Sequence, residues 1–101
     1  MDKRDYLIIL YDYYGELLNE KQKTYFEEYY FNNLSLGEIS ENLNISRNAV
    51  QKCLIGIEEK LAYFEEKLKL YEKTNRIRDI IKENNIDDIK ASLKELIKWD
   101  T

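Results

Sequence analysis

The stretch Leu34–Val50, LSLGEISENLNISRNAV, constrains this chain more than any other, because its spacing fits two short helices joined by a tight turn. Ser35 followed by Glu38 forms the S-x-x-E pattern of a capping box, in which each side chain satisfies a backbone N–H of the other residue. Leu36, Ile39 and Leu43 share one helical face. Ser40 supplies the small side chain needed where the two helices approach each other. Asn44 falls at the turn, where a residue that tolerates the left-handed conformation is wanted. Ile45 plugs the corner, Ser46 caps the second helix, and Val50 closes the small core. The predicted elements are a helix over 36–43 and a second helix from 47 onward, a helix-turn-helix.

The rest of the composition agrees with an all-α chain. Proline is absent and there are only three glycines in 101 residues, so both helix breakers are scarce, while 36% of residues are charged. One small domain with a modest core fits this length. The single Cys53 excludes an internal disulfide and fits a reducing compartment. With no histidine and one cysteine, the usual nitrogen and sulfur metal site cannot be built. No basic-then-apolar leader and no bilayer-length apolar run is present, so a cytoplasmic location without membrane insertion is expected.

Along the chain, Leu7, Leu10, Tyr11, Tyr14, Leu17 and Leu18 recur at helical spacing and predict a first helix over 3–18, weakened by Gly15. Asn19 with Gln22 reads as the next cap, starting a helix through Phe31 whose buried face is Tyr25, Phe26, Tyr29 and Tyr30. The second helix of the helix-turn-helix runs on. Val50, Leu54, Ile57, Leu61, Phe64, Leu68 and Tyr71 follow a 4-3-4-3-4-3 spacing, a heptad seam with Leu54, Leu61 and Leu68 at position a. Continuous to Lys73, this helix would be about 40 Å long. Glu58, Glu65 and Glu72 flank the seam on one side, Lys60 and Lys67 on the other. In a parallel pair Lys60 would meet Glu65 and Lys67 would meet Glu72 of the other copy. The seam Leu54, Ile57, Leu61, Phe64, Leu68 and Tyr71 is therefore expected to join two copies as a homodimer. The alternative is that it packs against the chain's own last helices, which carry further isoleucines and leucines. Residues 75–99 predict two shorter helices broken at Asn84–Asn85, with Asn85 as cap. The expected division is a helix-turn-helix domain over 1–73 and a helical extension over 74–101. No linker, repeat or low-complexity segment is evident.

The segment around the helix-turn-helix resembles a known family. LLNEKQKTYFEEYYFNNLSLGEISENLNISRNAVQKCLIGIEEKLAYFEEKLKL is similar to the YlxM family of small bacterial helix-turn-helix proteins, which look like region 4 of sigma-70-type factors. The shared features are Leu18 with Gln22 and Lys23, the Tyr29–Tyr30 pair, Ser35-Leu36-x-Glu38-Ile39, Ser46-Arg47-x-Ala49-Val50, and the run Tyr63-x-Glu65-Glu66-Lys67-Leu68. The similarity spans at least residues 6–71. Asn48 stands where the family often has Gln, and Ile55-Gly56 where it often has a basic residue, which removes positive charge from the second helix. The resemblance implies a DNA-binding or regulatory protein, and a part in the signal recognition particle pathway through that particle's protein or RNA.

A helix-turn-helix presents the start of its second helix to the major groove. Ser46, Arg47, Asn48, Gln51 and Lys52 form that exposed set here. Arg pairs with guanine in a bidentate way and Asn or Gln with adenine, while Ser46 and the free N–H groups at the helix start suit a phosphate. Lys21 and Lys23 of the preceding helix add phosphate contacts. Against this, net charge is −4, and residues 35–56 balance Arg47 and Lys52 against Glu38 and Glu41. A polar, solvated face is the competing reading. The tyrosines fall on helical stripes and read as core rather than as base-stacking platforms. Adjacent carboxylates such as Glu58–Glu59 and Asp87–Asp88 point apart on a helix, Cys53 has no base but Lys52 beside it, and no glycine-rich phosphate loop is present. No catalytic residue, metal, cofactor or small-molecule substrate is expected. The functions in view are a non-enzymatic regulator or accessory of the signal recognition particle pathway, a homodimeric, sequence-specific binder of duplex DNA and, third, a purely structural adaptor.

Overall fold

The computed structural model describes residues 1–100 and is helical nearly throughout, with no strand among them. Two compact units divide between Leu68 and Lys69.

The first unit holds four helices: α1 (Lys3–Tyr14), α2 (Glu20–Phe26), α3 (Leu36–Leu43) and α4 (Arg47–Leu68). Asp2 caps α1 by accepting from the Asp5 N–H. The helix stops four residues short of the expected Leu18, and Gly15–Leu17 form a 3₁₀ turn instead. Asn19 and Gln22 form the expected capping box at the start of α2. That helix widens into a π-helical turn over Glu27–Phe31. Such a turn leaves carbonyls exposed at its end. Arg4 covers them, donating to the carbonyls of Tyr30 at 2.9 Å and Tyr29 at 3.3 Å and to Asn33 Oδ1 at 2.8 Å.

Helix α4 is the spine of this unit, packed on α1, α2 and α3. Its buried residues are Val50, Leu54, Ile57, Leu61 and Glu65, met by Leu7, Leu10, Tyr14, Tyr25, Phe26, Tyr30 and Ile39. The aromatic residues pack as a cluster, with the Tyr11 and Phe26 rings stacked at 4.3 Å and Phe26 on Tyr30 at 4.4 Å. Of the predicted Tyr-Phe face of α2, Tyr29 alone is only half-buried.

This packing corrects the intermolecular seam. Leu54, Ile57 and Leu61 are 5%, 1% and 0% exposed within one copy, so they are spent on the chain's own helices. Phe64 is half-buried, Leu68 is exposed, and Tyr71 lies on a different helix. The flanking charges are also spent. Glu65 is buried and accepts a 2.5 Å hydrogen bond from the Tyr14 hydroxyl. Glu58 accepts from the Tyr30 hydroxyl and pairs with Lys3. Lys60 lies over the Phe64 ring and Lys67 over the Tyr63 ring. Helix α4 ends at Leu68, not near Lys73, because Lys69 takes a left-handed conformation (φ 56°).

The second unit is a pair of helices, α5 (Leu70–Ile81) and α6 (Ile86–Ile97), followed by a 3₁₀ turn. Asn85 caps α6, accepting from the N–H groups of Asp87 and Asp88. Ser92 donates to Glu83 in the connection and helps hold the two helices together. Only Ile80 and Leu96 are buried among the aliphatic side chains of this unit. No helix among the described residues is long and apolar enough to cross a membrane.

Candidate nucleic-acid interface

The helix-turn-helix forms from the local chemistry of its sequence. Ser35 accepts from the Glu38 N–H and Glu38 accepts from the Ser35 N–H, each at 3.1 Å, completing the capping box of α3. Those bonds favour the charged carboxylate, so the Glu38 pKa lies below its ordinary value, chiefly through the Ser35 backbone N–H. Ser40 is buried, and its hydroxyl donates to the Gly37 carbonyl at 2.7 Å. Asn44 ends α3 at φ 55°, ψ 46°, the left-handed turn expected of it. Ser46 accepts from the Ala49 N–H at 3.1 Å and so caps α4. Ile45 is half-buried at the corner and Val50 is fully buried behind it.

This geometry leaves Arg47, Asn48, Gln51 and Lys52 exposed on the first turns of α4, with Ile55 next on the same face at 45% exposure. Arg47 lies across the start of α3, its Nε 3.9 Å from the place a Cβ on Gly37 would occupy. Lys21 and Lys52 line one groove with Tyr25, Cys53 and Gly56. Lys21 also borders the turn of the motif beside Leu43 and Ile45. Apart from its chain neighbours and the backbone of its own helix, nothing among the described residues lies within 4 Å of a Cβ built on Gly56, so the groove is open there. Gly56 is a feature of this face that sequence reasoning registered only as missing charge.

The cations of the first unit are unevenly committed. Lys3 pairs with Glu58, Arg4 caps the π turn, Lys21 lies over the Tyr25 ring, and Lys60 and Lys67 lie over Phe64 and Tyr63. Lys23 is drawn to Glu16 at 3.3 Å and Glu20 at 3.5 Å. The Glu16 hydrogen bond raises its pKa. Lys23 is therefore committed within the protein, unlike the free phosphate contact expected of it. Arg47 and Lys52 have no hydrogen-bond, ion-pair or aromatic partner among the described residues. Both stand on the exposed face of the second motif helix, whereas Ser46 spends its side-chain oxygen on the cap.

Tyr25 and Cys53 meet at the edge of the same groove. Burial, and then the neighbouring Cys53, raises the Tyr25 pKa. Tyr30 is raised further, by burial first and by its hydrogen bond to Glu58 second. These are core-edge phenols held neutral, in keeping with their place on helical stripes. No group of three or more His, Cys, Asp or Glu able to hold a metal ion occurs among the described residues.

Fold and exposed face together define a helix-turn-helix protein. The sequence profile of the family described as "Putative helix-turn-helix protein, YlxM / p13 like" matches residues 1–99, and the chain belongs to this family, UPF0122. Relatives include a UPF0122 protein of Thermoanaerobacter sp. strain X514, 45% identical over 89 residues, which are 88% of this chain and 72% of that protein. A UPF0122 protein of Ureaplasma parvum serovar 3 is 39% identical over 95 residues, 94% of this chain and 96% of the relative. One from Caldanaerobacter subterraneus subsp. tengcongensis is 52% identical over 68 residues, 67% of this chain and 58% of that protein.

Proposed function

We propose that this protein is a non-enzymatic regulator that binds duplex DNA through the N-terminal turns of α4. The observation that supports this reading most is the placement of Arg47 and Lys52. They are uncommitted cations on the exposed face of the motif's second helix, in a unit whose other cations have intramolecular partners. Asn48 and Gln51 stand between them and are suited to adenine edges, Arg47 to guanine.

Few cations face the DNA in this reading, so affinity per copy is modest and base contacts matter more than phosphate neutralisation. The test is fluorescence anisotropy on labelled duplexes with Arg47→Ala, Lys52→Ala and, as control, Lys60→Ala, whose parent side chain is engaged with Phe64 and Gln22. Loss of binding in the first two and not in the control supports the proposal. The resemblance to the YlxM family also implies a place in the signal recognition particle pathway. Binding to that particle's RNA or protein with duplex DNA ignored would overturn the DNA reading in its favour.

A further inference from the structure

The two helices of the second unit carry the same side-chain pattern sixteen residues apart. Leu70, Ile77 and Ile81 on α5 correspond to Ile86, Leu93 and Ile97 on α6. The buried Ile80 corresponds to the buried Leu96. Arg78 and Lys82 match Lys94 and Lys98 beside the stripe, while Glu72 and Asp79 match Asp88 and Glu95 on the opposite side of each helix. At 3.6 residues per turn, i, i+7 and i+11 fall on one face, so each helix bears a continuous aliphatic stripe. All six side chains are exposed. Exposure runs from 40% at Ile77 to 76% at Ile81, with Ile86 at 69% and Ile97 at 68%.

We infer that these stripes form a self-association surface, covered by the same stripes of a second copy. Two features point to a second copy as the occupant. The first is size. A unit of about thirty residues that buries only two aliphatic side chains is below the ~40 residues at which a core can usually sustain itself without a disulfide, a metal or oligomerisation. Two such units together reach the length of a small independent domain. The second is area. The six side chains expose on the order of 600 Å² per copy, close to the ~800 Å² that each partner contributes to a standard stable interface. The recurrence also makes the surface self-complementary. A two-fold axis sets α5 of one copy against α6 of the other, stripe on stripe in matching register, as an isologous contact requires. This surface is distinct from the heptad residues of α4, whose first half is buried in the first unit, and it does not depend on the DNA reading.

Sedimentation equilibrium of the full chain tests the inference. The wild type is expected at twice the 12.2 kDa chain mass. Ile81→Glu with Ile97→Glu places an unpaired charge in the interface and weakens the dimer by more than ~100-fold. Ile55→Glu, at a side chain 45% exposed on α4, leaves it intact. All three parent side chains are exposed, and circular dichroism checks that each variant keeps its helix content; Ile86→Glu is a second, independent interface variant. Because like-charged cations border the stripes, added salt tightens this dimer. A monomeric wild type, a dimer that survives the stripe substitutions, or one that salt dissociates would each overturn the inference.

Discussion

Replacing Tyr14 by Phe removes one oxygen from a fully buried ring and leaves the packing volume nearly unchanged. The Tyr14 hydroxyl donates to Glu65 at 2.5 Å, and Glu65 is itself only 8% exposed. A hydrogen bond to a charged group contributes about 1.5–3 kcal/mol, and the loss is largest when the carboxylate stays buried. Tyr14→Phe is therefore expected to destabilise the first unit by ~2 kcal/mol. At the ~4–8 °C per kcal/mol of a 60–100-residue domain, its melting temperature falls by roughly 8–16 °C. The reciprocal change Glu65→Met leaves the tyrosine hydroxyl buried and is also destabilising. The double variant replaces both partners by apolar groups and is milder than the sum of the two, because no buried polar atom is left from the pair. Urea denaturation of the four proteins followed by circular dichroism completes the double-mutant cycle. Tyr14→Phe within ~0.5 kcal/mol of wild type, or strictly additive single variants, would refute the assignment of this bond as a coupled element of the core.

Three further substitutions probe the motif and its flank. Asn44→Ala removes the short polar side chain that lets asparagine tolerate the left-handed region at φ 55° and costs about 1 kcal/mol, whereas Asn44→Gly, with no β-carbon there, is neutral or stabilising; thermal melts separate the two. Gly56→Ala gains roughly 0.8–1 kcal/mol in the interior of α4, since its Cβ meets nothing, and a higher urea midpoint would show it. The Glu38 pKa is depressed in the folded chain by the Ser35 backbone N–H, so its stabilising contribution is present above the ordinary carboxylate pKa and is lost as pH falls through the lowered value. Glu38→Gln keeps the capping geometry and flattens that part of the acid limb, measurable by melting temperatures between neutral and strongly acid pH.

The helix-turn-helix was legible because every position in it answers a local demand. Ser35 with Glu38, Asn44 in the left-handed turn and Ser46 at the second cap all act within four residues of their partners. Asn19 and Asn85 were legible for the same reason. The seam was not, because a 4-3 spacing records only which side chains share a face and says nothing of what covers them. Helices α1, α2 and α3 of the same chain supply that cover for Leu54, Ile57 and Leu61, and contacts as distant in sequence as Tyr14 with Glu65 cannot be read from periodicity. The end of α4 was hidden as well. Lys69 turns left-handed with no glycine, proline or asparagine to announce it, and the apolar rhythm of Leu68 and Tyr71 runs straight across the break. At the candidate interface, the residue types on α4 were readable but their availability was not. Lys23 is tied to Glu16 and Glu20, which leaves Arg47 and Lys52 as the free pair.

That pair gives the DNA reading a number. Each phosphate neutralised on duplex DNA contributes about −0.9 to the slope of log K against log salt concentration, so Arg47 and Lys52 acting on phosphates set an upper slope near −2 per copy. The decisive measurement is that slope, from anisotropy titrations of a labelled duplex at several salt concentrations, for wild type and for the Arg47→Ala, Lys52→Ala double variant. The account predicts measurable wild-type binding with a slope between about −1 and −2 per copy, abolished in the double variant. Binding that keeps its strength and slope without these two side chains, or no duplex binding at low salt, would contradict it.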